Sequence, residues 1–70
     1  MTYDDKYPAN AAIVHVCILL LDNGILPNEA VVNRKELSEL TGLTERRLAS
    51  DIKLSSQEEQ KVIAFFNKKK

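Results

Sequence analysis

Eleven consecutive residues, Ala11 to Leu21 (AAIVHVCILLL), are apolar apart from His15, and they stand between Pro8 and Asn23-Gly24. In a chain of 70 residues this run constrains the fold more than any other feature. As a helix it is apolar on nearly every face and must be covered on most sides. As a strand it would use β-branched Ile13, Val14, Val16 and Ile18 and end in the strongest short hairpin signal, Asn-Gly. Length favours the helix. The fifteen residues from Pro8 to Asp22 contain no breaker, strands usually run about five or six residues, and Pro27 would spoil a returning strand. Pro8 suits a first helical turn, and Asn23-Gly24 supplies a left-handed stop. The run is also well short of the roughly 20 residues needed to cross a bilayer, so no membrane association is expected. A chain this size buries only about 60% of its unfolded surface. Leftover apolar side chains on this first helix, Val14, Ile18 and Leu21, are therefore expected to form a homodimer interface.

The rest of the chain narrows the class. Apolar residues make up 44% and charged residues 29%, the balance of a globular domain rather than a disordered one, and residues 1–70 read as a single domain. One cysteine and one histidine can form neither an internal disulfide nor a four-ligand metal site. No metal or cofactor is expected. Cys17 reads as a small core hydrophobe and His15 as a half-buried packing residue with no carboxylate near it in sequence. The acidic start MTYDDKYP does not resemble a secretion signal, which points to a reducing, cytoplasmic setting. The sequence shows no catalytic arrangement, no phosphate-cradling glycine loop and no paired carboxylates in a plausible cleft, so an enzyme is not expected.

Beyond Gly24 the stretch ILPNEAVV is a connection in which Val31-Val32 could form a short extended piece. Asn33 reads as an N-cap with Glu36 completing a capping box, Leu37 and Leu40 line the inner face, and Gly42 ends that helix. Thr44 caps the next, expected to run to Leu54, with Leu48 and Ile52 four apart on its inner face and Leu43 packing at its start. Ser55 with Glu58, or Ser56 with Glu59, opens a last helix carrying Val62, Ile63 and Phe66. KVIAFF alone would also pass as a strand. Residues 1–7 and 67–70 are expected to be flexible ends. The expected fold is all-α in the main, a small three- to four-helix domain.

The segment Asn33 to Lys53 (NRKELSELTGLTERRLASDIK) resembles a helix-turn-helix, in particular the winged-helix-like form of small bacterial and phage regulators. The features that carry the resemblance are small Ser38 four residues before Gly42, Gly42 itself, apolar Leu43, helix-starting Thr44, and apolar Leu48 and Ile52. It covers about a third of the chain. A full β-wing is not expected, because nothing after Ile52 contains Gly or Pro. The resemblance implies that a recognition helix, residues 44–54, enters the major groove of double-stranded DNA. Glu45, Arg46, Ala49 and Ser50 would then face bases, Arg46 pairing with guanine O6 and N7. Arg34, Lys35, Thr44, Arg47 and Lys53 would meet phosphates.

Charge argues against an ordinary DNA binder, which is more basic than this. Residues 1–30 carry −3, residues 31–54 carry +1 and residues 55–70 carry +2, a net of zero. Dimerisation would double the phosphate contacts. The expected function is a sequence-specific DNA-binding regulator of a phage, plasmid or other mobile element. The rival readings are a protein-binding module that grips a host polymerase or nuclease, in which Arg46, Arg47 and Lys53 are merely a solvated helix face, and an accessory replication or packaging factor.

Overall fold

The computed structural model describes residues 2–4 and 9–69. Helices dominate. Strand β1 (Thr2–Tyr3) is followed by α1 (Ala11–Asp22), β2 (Val31–Val32), α2 (Arg34–Thr41), the single turn α3 (Glu45–Leu48) and α4 (Ser56–Lys69).

The apolar run is helical, though it starts later than expected: α1 begins at Ala11 behind Asn10, and Pro8 lies outside the described residues. Its C-terminus closes as a Schellman motif. Gly24 takes φ +68, its N–H donates to the Leu21 carbonyl, and the Ile25 N–H donates to the Leu20 carbonyl. Ala12, Ile13, Val16, Cys17 and Leu20 face inward. Val14 and Ile18 do not; they are 46% and 52% exposed, so the helix is covered on one side rather than on most sides.

After a turn in which the Ala30 N–H donates to the Pro27 carbonyl, Val31-Val32 is extended, as its sequence suggested. It pairs in parallel with β1, Thr2 opposite Val31 and Tyr3 opposite Val32. Thr2 and Tyr3 are thus not part of a loose end. Tyr3 packs against the core beside buried Val32, which gives the pairing a hydrophobic reason.

Asn33 caps α2 by accepting the Glu36 N–H at 2.8 Å, and Gly42 leaves the helix at φ 75. The turn is tightly stitched. Buried Thr41 donates its hydroxyl to the Leu37 carbonyl (2.6 Å) and accepts the Leu43 N–H (3.2 Å). Ser38 donates to the Leu43 carbonyl at 2.6 Å, so its small side chain is a closing hydrogen bond as well as a clearance. Ser55 and Glu58 form the reciprocal capping box that opens α4, each backbone N–H bonded to the other's side chain. The segment KVIAFF is therefore helix, and α4 carries on through Asn67 to Lys69, where a loose end was expected. No glycine-turned wing follows Ile52, since α4 occupies that part of the chain. One core joins Ile13, Val16, Leu20, Leu37, Leu48 and Val62, all fully buried, with Val32 and Leu54 at its margin.

Candidate nucleic-acid interface

The α2–Gly42–α3 corner is present, but the expected helix 44–54 is not: α3 stops at Leu48. The carbonyls that would continue it are used elsewhere. Asn10 sits at the N-cap position of α1, yet its side-chain amide donates to the carbonyls of Leu48 and Ser50. The Ala12 N–H also donates to the Ser50 carbonyl, and the Ala11 N–H donates to the Asp51 carboxylate at 3.1 Å. The start of α1 is thus capped by the segment after α3, which follows a non-helical course from Ala49 to Leu54. Leu54 completes the exchange, since its N–H donates to His15 Nδ1 at 2.9 Å. His15 Nε2 in turn donates to Glu59 at 2.9 Å. His15 is therefore a tie between α1, the 48–54 segment and α4. Sequence reading missed it because Glu59 is 44 residues away.

These changes redistribute the residues assigned to DNA. Thr44 caps α3, accepting the Arg47 N–H at 3.0 Å. Glu45, Arg46 and Ala49 are exposed on the outside of the single turn, while Ser50 is half-buried with its carbonyl committed to α1. Leu48 is buried as expected, but Ile52 is 70% exposed: without a continuing helix the four-residue spacing no longer puts the two on one face. Lys35 is exposed and Arg34 half-buried on α2. Lys53 is exposed and lies beside Val14, His15 and Ile18 of α1.

Arg47 is the clearest correction. Its guanidinium holds Glu58 through Nε at 2.7 Å and Nη2 at 2.9 Å, and also donates to the carbonyls of Ile52 and Lys53. A group spent in four directions on its own chain is not available as a phosphate contact. The bidentate bond to Glu58 raises the arginine's pKa. The same hydrogen bond, helped by the Ser55 N–H, pulls the Glu58 carboxyl down to about 2 from an ordinary 4.5. The folded value lies below the unfolded one. The contribution of Glu58 is therefore complete above about 4.5 and is lost as pH falls through about 2. Glu58→Gln should cost about 1–2 kcal/mol at neutral pH, between the value of an exposed ion pair and that of a shielded hydrogen bond to a charged group. In urea titrations at stepped pH the variant and the wild type should converge as pH approaches 2. Arg47→Ala should cost as much or more, whereas Arg46→Ala should stay within about 0.5 kcal/mol; equal costs for the two arginines would refute the tie.

No group of side chains suited to a metal ion occurs among the described residues. None of their helices is long and apolar enough to cross a membrane. Cys17 is buried, and burial raises its thiol pKa, in keeping with a core residue. No protein-family model matches the chain, and searches of curated proteins and of solved structures found no significant similarity.

Proposed function

We propose that the protein is a small sequence-specific DNA-binding regulator, cytoplasmic and non-enzymatic, that presents the α2–Gly42–α3 corner to double-stranded DNA. The observation that carries this reading is the left-handed Gly42 turn leading into a Thr44-capped helix start from which Arg46 projects. Glu45 and Arg46 are exposed on that turn, so their side chains are free to meet a base edge. Reading is confined to the first turn, with Arg46 as the base-contacting fork and Glu45 and Ala49 beside it. Lys35, Arg34, Thr44 and Lys53 are the phosphate contacts. Arg47 is removed from that set, and Ser50 contributes at most through its hydroxyl. With one turn of helix and no net charge, affinity per protomer is low and falls steeply with salt.

Gel shifts against fragments selected from a genomic library test this at several salt concentrations. Arg46→Ala should weaken specific binding by about 1–3 kcal/mol and relax preference at one base pair, and Lys53→Ala should weaken all sequences alike and reduce the salt slope by about one. Wild-type protein that binds no DNA at any salt would sink the reading.

A second reading, a module that grips a host protein, is favoured by a different observation. Arg47 is withdrawn into an internal tie while apolar Val14, Ile18 and Ile52 stand in water. Under that reading neither arginine nor lysine substitution changes binding to nucleic acid, because there is none.

A further inference from the structure

The exposed face of α1 has a defined shape and a defined charge at each end. Val14, Ile18 and Asp22 follow one another at four-residue spacing and all three are exposed, so they form a single ridge along the helix. Two apolar depressions flank the ridge, and both are lined by Val14 and Ile18. One is completed by Tyr3, Ile13, Cys17 and Leu21, the other by Ala11, His15 and Lys53. A ridge with a groove on either side is the surface that a second helix of the same kind fits.

The ends of the ridge decide which helix. Asp22 closes the C-terminal turn of α1, which contains no basic residue. A carboxylate there faces the negative end of the helix dipole, an unfavourable position that a nearby cation would relieve. Among the described residues the cation lining this face is Lys53, but it lies at the other end of the ridge, beside Val14. Within one chain the two do not meet. Across a two-fold axis through Ile18 they do: antiparallel packing sets Ile18 on Ile18 of the second copy and Val14 against Asp22 of that copy. Lys53 of each chain is then brought to Asp22 of the other.

We propose that the occupant of this face is a second copy of the chain, docked as an antiparallel α1–α1 pair centred on Ile18 and closed at both ends by Lys53–Asp22 ion pairs. The arrangement is isologous, each contact occurring twice, and it sets the two helix dipoles head to tail. One short helix face buries less than the roughly 800 Å² per partner of a standard interface, so the dimer is of the weak, concentration-dependent kind. The proposal does not depend on DNA being the ligand; where it holds, Lys53 is committed to Asp22 of the second copy, and Lys53→Ala weakens DNA binding through loss of the dimer rather than through a lost phosphate contact.

Sedimentation equilibrium on the DNA-free full chain, from low micromolar to millimolar concentration, tests it by charge reversal. Asp22 and Lys53 are both exposed, so their substitution leaves the core intact, which circular dichroism verifies. The wild type should dimerise. Asp22→Lys and Lys53→Asp should each weaken dimerisation roughly tenfold or more, and the double variant Asp22→Lys/Lys53→Asp should recover most of the loss. Ile18→Glu should leave a folded monomer. A wild type that stays monomeric throughout, single reversals that dimerise like the wild type, or a double variant no better than the singles would each overturn the proposal.

Discussion

Gly42→Val is expected to remove a large part of the protein's stability. Two independent penalties meet at this residue. Its backbone sits at φ 75, a region that costs an L-residue roughly 1–2 kcal/mol and a β-branched one more. A Cβ built there would also stand 2.9 to 3.2 Å from three atoms of the Phe65 ring, and overpacking of this kind adds about 1–3 kcal/mol. A domain of this size has on the order of 5 kcal/mol to lose. Gly24 provides the control. It has nearly the same dihedral, φ 68, but no atom lies within 4 Å of its would-be Cβ. Gly24→Ala should therefore show the backbone penalty alone, and Gly42→Ala should exceed it by the cost of moving Phe65. Thermal melts by circular dichroism measure the difference. Equal shifts at the two glycines would mean that α4 does not close over Gly42, and an unshifted Gly42→Val would remove the turn itself.

Leu48→Ala has the second large expected effect, a loss of about 2–5 kcal/mol. Leu48 is fully buried and is the one buried side chain of α3. A single helical turn has no stability of its own, because nucleation is costly and one turn returns little, so α3 exists only while Leu48 anchors it. Removing that anchor should also free Asn10 and the start of α1, which bind the Leu48 and Ser50 carbonyls. Ile52→Ala is the contrast. Ile52 is 70% exposed, and its truncation should change stability by less than about 0.5 kcal/mol. Urea unfolding of both variants decides whether the helix truly ends at Leu48. In the longer helix 44–54 both side chains would be inward and the two costs would be similar.

Whatever depends on a few neighbouring residues could be read from the sequence. The Asn33 and Thr44 caps, the Ser55–Glu58 capping box and the left-handed glycines at 24 and 42 each rest on hydrogen bonds or dihedrals settled within about five residues, while the extended Val31-Val32 pair was legible from its β-branched side chains but is completed by Thr2–Tyr3. The mainly helical class follows from them, as does the α2–Gly42–α3 corner on which the proposed DNA contacts depend. Tertiary structure alone decided where α3 ends, that Ile52 faces water, that Arg47 turns inward and that Thr2–Tyr3 forms a strand. The helical propensity of residues 49–54 is worth tenths of a kcal/mol per residue. It was outweighed by partners that sequence spacing does not reveal: Asn10 on Leu48 and Ser50 across 38 and 40 residues, His15 on Leu54 across 39, and Glu58 on Arg47 across 11. A weak local preference yields wherever a distant donor or acceptor can satisfy the same backbone group, and in this chain that competition falls on the second half of the expected recognition helix.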